Sequence, residues 1–339
     1  MNKQTLFARL GLIATVLALC VVVLGAYVRL SHAGLGCPDW PGCYGHLGVP
    51  KTEQAVQMAN ALYPDRPVEA HKAWKEMVHR YFAGILGLLV FTLAFIAWRN
   101  RHDPQQSFKL PLFLSVLIIF QALLGMWTVT IKLKPVIVML HLMGGMATLS
   151  LLWWITLRHM KLFARLRPGI QIQASRLKKL ALIGLLIVVV QVMLGGWTSA
   201  NYAALHCTDF PTCQGQWWPQ TDFGEAFTFW HGIGPDYEGG VMSNTARVTV
   251  HFTHRLGALV TFLYLGALGL MLLLGRFGKN LQPVGLTLLA VLLLQVSLGI
   301  ANVLLSLPLG VAVAHNGVGA LLLLTLVTLN HLAFEPRRT

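Results

Sequence analysis

Two stretches, "LGAYVRLSHAGLGCPDWPGC" (Leu24 to Cys43) and "LGGWTSANYAALHCTDFPTC" (Leu194 to Cys213), decide the fold. Laid one above the other without a gap, they share the opening Leu-Gly, Leu35/Leu205, Cys37/Cys207, Asp39/Asp209, Pro41/Pro211 and Cys43/Cys213. The register runs on: "VHR" at 78–80 answers "THR" at 253–255, "QALLG" at 121–125 answers "QVSLG" at 295–299, and "HLMGG" at 141–145 answers "HNGVG" at 315–319. Self-similarity over such a period marks a duplicated unit. The chain therefore divides into a half at 1–157, a basic linker at 158–178 and a second half at 179–339.

Composition sets the class. With 55% hydrophobic and 11% charged residues over 339 positions, too few polar side chains remain to clothe a water-soluble globule of this size. Apolar runs long enough to cross a bilayer, about 20 residues each, fall at about 8–30, 73–98, 110–131, 135–157, 179–200, 247–274, 283–306 and 309–333. The reading is an all-α integral membrane protein of eight transmembrane helices, arranged as two pseudo-symmetric four-helix bundles. Because each half has an even number of helices, both share one orientation, a parallel repeat.

A formal charge of +14 raises nucleic acid as a partner, but the distribution of the basic residues argues against it. They cluster in the N-terminus (Lys3, Arg9), the second loop (Arg99, Arg101, Lys109), the fourth (Arg158, Lys161, Arg165, Arg167, Arg176, Lys178, Lys179), the sixth (Arg276, Lys279) and the tail (Arg337, Arg338). By the positive-inside rule these segments are cytoplasmic, with both termini inside and the long loops at about 31–72 and 201–246 outside. The first apolar run lacks an A-x-A cleavage site and is kept as a helix rather than a signal peptide; no transit-peptide pattern precedes it, so a bacterial inner membrane is the expected location.

Of 13 histidines, five fall inside the spans: His79, His141, His251, His254 and His315. His79, His141, His254 and His315 each lie six or seven residues into an even-numbered helix. At roughly 1.5 Å per residue, all four sit about 10 Å below the outer surface, one pair per half. Zinc needs three or four ligands with sulfur or oxygen among them, and proton relays favour carboxylates. Two imidazoles facing each other between apolar helices match a heme iron best. Gly144, Gly145, Gly317 and Gly319 either let a flat macrocycle approach the backbone or serve ordinary small-residue helix packing. Arg80 and Arg255 either meet a porphyrin propionate or snorkel to the headgroups.

The halves differ at one telling place. One turn before the histidine stands Glu76 in the first half and His251 in the second, and positions three apart share a helix face. A carboxylate there can exchange protons with a substrate carbon or an activating water. Its structural alternative is a salt bridge with Lys72, Lys75 or Arg80. The pairs Cys37/Cys43 and Cys207/Cys213 have the spacing of local disulfides in an oxidising compartment, a redox role for the first pair being the alternative; Cys20, inside the first helix, reads as inert packing.

The Glu-x-x-His-Arg at Glu76 to Arg80, the lone histidine His141 of the fourth helix, their repeat partners His254 and His315, and the cysteine pair after the first helix together resemble the heme A synthase family over nearly the whole chain. That resemblance implies an enzyme that oxidises the C8 methyl group of heme O to a formyl group, giving heme A for terminal oxidases. It implies a heme b cofactor held by His254 and His315, the substrate heme held by His79 and His141, Glu76 as the catalytic acid/base, and disulfides at the four loop cysteines. Heme O, heme A and membrane lipid are the implied partners, with heme O synthase (the farnesyltransferase) and terminal oxidase assembly factors as candidate protein partners. The competing function from another class is a non-catalytic diheme b-type electron carrier, which predicts two permanent hemes and indifference to Glu76→Ala.

Overall fold

The computed structural model describes residues 3–103, 108–160, 171–230, 232, 234 and 236–334. Lys161, Arg165 and Arg167 of the basic linker, and Arg337 and Arg338 of the tail, lie outside the described residues. Eight long helices run through it: α1 (Lys3–Leu30), α3 (Ala70–Arg99), α4 (Lys109–Thr130), α5 (Pro135–Met160), α6 (Gln171–Ala200), α8 (Asn244–Leu273), α9 (Gln282–Leu304) and α10 (Leu309–Phe334). Each carries a window long and apolar enough to cross a membrane, so the chain is a multi-pass membrane protein. Two short helices, α2 (Glu53–Leu62) and α7 (Phe223–Ala226), lie in the long loops. Among the described residues there is no β-strand, only the isolated bridges Cys43 to His46 and Cys213 to Gln216.

These helices are apolar on most faces because each has one side on its neighbours and the other on lipid. Leu88, Val116, Leu263 and Leu286 point outward, while a continuous core from Phe7 to Ala333 fills the interior. Backbone donors at the polar helix starts are met by side chains: Thr52 accepts from the Ala55 N–H, Asp222 from Glu225 and Ser243 from Ala246. Helix α1 packs on α3 and α5, α3 on α4, and α4 on α5, closing a ring of four; α6, α8, α9 and α10 close a second ring by the same pairings. The rings meet along α1/α10, α5/α6 and α5/α10. The same left-handed residues recur at matching turns, Lys132 and Leu133 after α4, Ser306 and Leu307 after α9.

Helices α3 and α8 begin a turn earlier than the apolar runs indicate. His79 therefore comes nine residues after Ala70 and His254 ten after Asn244, whereas His141 and His315 come six after Pro135 and Leu309. The extra turn is polar and invisible to hydropathy. In α3 the cysteine loop rests on this turn: a Cβ at Gly36 would sit 2.6 Å from the Lys72 carbonyl carbon. Cys20 also departs from its reading as packing, being exposed on the outer face of α1. Both long loops lie at one end of the bundle, joined by ion pairs from Arg66 to Asp236 and Glu238.

Candidate functional site

Each of the four histidines closes onto a glycine of the preceding long helix. A Cβ at Gly25 would stand 3.1 Å from His79 Cε1, at Gly125 3.3 Å from His141 Cε1, at Gly195 3.2 Å from His254 Cε1, and at Gly299 3.1 Å from His315 Cε1. One turn earlier on the same helices, the carbonyls of Val21, Gln121 and Gln295 stand beside the rings of His79, His141 and His315. His79 and His141 lie near one another in the first ring of helices, and His254 and His315 in the second.

The donor set fits a heme. The Nδ1 atoms of His79, His141 and His315 are buried without a hydrogen-bond partner, although each residue as a whole is only half-buried. Among the described residues no cluster of three or more histidine, cysteine, aspartate or glutamate side chains gathers to hold a bare metal ion. Paired imidazole nitrogens between apolar helices suit an iron that brings its other ligands with it.

Above each pair sits a disulfide loop, Cys37 to Cys43 and Cys207 to Cys213. Glu76 is buried; its Oε2 accepts the Cys37 N–H at 3.0 Å and its Oε1 pairs with Arg80. In the other half His251 Nδ1 accepts the Cys207 N–H at 3.3 Å, and Arg255 Nε lies 3.4 Å from His251 Nε2. The two arginines also clamp the loops. Arg80 donates to the carbonyls of Asp39, at 2.9 Å, and Gly42; Arg255 donates to those of Thr212 and Cys207 at 2.8 Å each. Of the three cations weighed for Glu76, it is Arg80 that pairs; Lys72 bonds Glu69, and Lys75 lies over the Tyr27 ring.

The glycines beside the ligands do something other than admit a flat ring. Cβ atoms at Gly144 and Gly319 would meet the side chains of Gln121 and Gln295, and at Gly145 and Gly317 those of Val22 and Val23 on α1. These glycines are close-packing positions. The glycines that face imidazoles, Gly25, Gly125, Gly195 and Gly299, escaped the sequence reading, although a Leu-Gly pair at the same depth in every odd-numbered span carried the signal.

Residues 8–327 match the model of a family described as cytochrome oxidase assembly protein, COX15-CtaA. The chain is 49% identical over 324 residues, 94% of each chain, to a protein named heme A synthase from Shewanella oneidensis. It is 27% identical over 335 residues to one of the same name from Granulibacter bethesdensis, covering 92% of this chain and 83% of that one. A third, from Shouchella clausii, is 33% identical over 225 residues, 64% of this chain and 67% of that one. With a near-complete family match and close identity across almost its full length, this chain belongs to the heme A synthase family.

Proposed function

We propose that the chain is a heme A synthase that oxidises the C8 methyl group of heme O to a formyl group, with residues 1–157 holding the substrate and residues 179–339 a heme b. The observation that carries this reading is the asymmetry between matched halves: two histidine pairs under two disulfide roofs, with a carboxylate, Glu76, over one and an imidazole, His251, over the other. A symmetric electron carrier has no use for that difference.

In this reading His79 and His141 hold the iron of heme O and orient its ring under Glu76. The carboxylate of Glu76 over this pair, able to activate a water, favours water as the source of the new oxygen. Glu76 Oε2, pinned by the Cys37 amide, takes the proton of a water attacking the oxidised methyl carbon. Loss of two electrons and a proton from the methyl group followed by this water gives the alcohol; a second two-electron oxidation and a second water give the gem-diol, which loses water to leave the aldehyde, and the electrons would leave through the second half to an external electron acceptor. His254 and His315 would hold heme b, whose chemistry there is to accept and pass on electrons. The basic ends of the helices support a cytoplasmic placement of both termini in a bacterial inner membrane, with the disulfide loops on the oxidising side.

The test is to purify the protein from membranes, extract its pigments and identify them. Heme B together with heme O or heme A is expected; heme B alone at two per chain would overturn the reading in favour of an electron carrier. Synthesis in heavy-oxygen water under non-exchanging conditions should label the formyl group, and a label arriving instead from molecular oxygen would sink the water route.

A further inference from the structure

The segments that face the four histidines are "VVVLG" (21–25), "QALLG" (121–125), "QVMLG" (191–195) and "QVSLG" (295–299). Three place a glutamine one turn before the glycine on which the imidazole rests. Gln191 Nε2 lies 3.1 Å from His254 Nδ1 and donates to the His254 carbonyl at 3.1 Å; Gln295 Nε2 lies 3.3 Å from His315 Nε2. The Gln121 side chain covers Gly144, one turn after His141, so closely that no Cβ would fit, Gln191 does the same at Gly257, and Gln295 lies 3.3 Å from where a Cβ at Gly319 would stand. Each glutamine thus has a glycine opposite that makes room for it.

The site of His79 lacks both parts. Val21 stands where the glutamine would be, and Phe82 and Ala83 occupy the positions one turn after the histidine. An amide in an apolar interior is costly unless bonded, so the Gln191 and Gln295 amides beside His254 and His315 are not filler. A side-chain amide against an imidazole restricts its rotation and sets its tautomer, as partners of metal-bound histidines do. His79 has an aliphatic neighbour, Val21, in the place that an amide takes elsewhere.

We propose that Gln191 and Gln295 are positioning residues that hold the imidazoles of His254 and His315 in the ligating orientation, and that Val21 leaves His79 as the labile ligand, the one that releases iron when a porphyrin enters or leaves the first half. A cofactor that stays needs two fixed ligands; a substrate that comes and goes needs one that lets go. This rests on the heme reading above.

The experiment uses the full chain loaded with added hemin to two hemes per chain, reduced and exposed to carbon monoxide, which takes an axial position only when a ligand leaves. One heme is expected to bind the gas readily and the other to resist. Val21→Gln should slow that binding by about tenfold or more, and Gln191→Val should make the second heme reactive by a similar factor, the range seen when partners of metal-bound histidines are removed. Gln191→Met, which keeps the length of the side chain without its amide, should leave the second heme as reactive as Gln191→Val does. Equal reactivity of both hemes in the unaltered protein overturns the proposal, as does a Gln191→Val heme as resistant as before. A chain that takes up fewer than two hemes overturns the heme reading itself, and the proposal with it.

Discussion

Glu76 receives the backbone N–H of Cys37 at 3.0 Å, tying the acidic group of α3 to the first residue of the disulfide loop above it. The ion pair with Arg80, one turn further on, fixes its other oxygen, and Arg80 in turn grips the loop carbonyls. Carboxylate, arginine and loop form one cap, whose counterpart in the second half has His251, Arg255 and the Cys207 loop in the same relation.

Glu76→Gln separates proton transfer from this structural tie. The amide oxygen still accepts from Cys37, and Arg80 keeps its loop carbonyls, so heme content should stay near normal. Conversion of heme O to heme A should fall by about a hundredfold or more, the scale of a lost acid/base group, while His251→Gln should cost far less. Chromatography of extracted hemes measures both; a Glu76→Gln protein with ordinary product would remove this residue from the chemistry.

The glycines that face imidazoles should be intolerant in a position-specific way. Gly195→Ala places a methyl group 3.2 Å from His254 Cε1, so the ring or the helix must yield; overpacking of this kind costs about 1–3 kcal/mol and should shift the redox midpoint or occupancy of the heme proposed for His254 and His315. Gly266→Ala, in the lower part of α8 with open space around it, should be neutral or stabilise by up to about 1 kcal/mol. Redox titration and thermal unfolding in detergent would distinguish the two, and equal effects would mean that the contact with the ring is incidental.

Much of this was legible before the structure. The eight spans follow from apolar runs, and His79, His141, His254 and His315 stand out because duplication repeats them at matched depth. What escaped depends on contacts between segments distant in sequence. No local pattern states that the Cys37 amide points at Glu76, 39 residues away, or that Gly25 meets His79. The polar first turns of α3 and α8 were missed because hydropathy marks where lipid begins rather than where a helix does. Helix α2, capped by Thr52, is short and half polar and lay inside a segment read as loop.

Arg255 and the second disulfide should stabilise the same loop and therefore act non-additively. Replacing Cys207 and Cys213 by serine removes a short crosslink worth about 2 kcal/mol. Arg255→Ala leaves the carbonyls of Thr212 and Cys207 without their donors, at about 1–3 kcal/mol for buried groups. Together the changes should cost less than their sum in thermal unfolding, since a loop already released has little left to lose; strict additivity would show that the arginine acts elsewhere.

Acid should loosen the second loop through Asp209. Its carboxylate accepts the Thr212 hydroxyl at 2.5 Å, the Gln214 N–H at 2.6 Å and the Gly215 N–H at 3.0 Å, and Gln214 and Gly215 are both held in the left-handed region. The Thr212 hydroxyl above all, then the two amides, keeps the carboxyl below its ordinary value of 3.8. A carboxyl lowered by folding contributes stability that is complete above the unfolded value and is lost as pH falls through the folded one. Reduction of the Cys207–Cys213 bond by a phosphine active in acid should therefore accelerate below about pH 4. Asp209→Asn should make reduction faster at neutral pH and nearly flat with pH. If the asparagine variant kept the same acid limb, another group would control the loop.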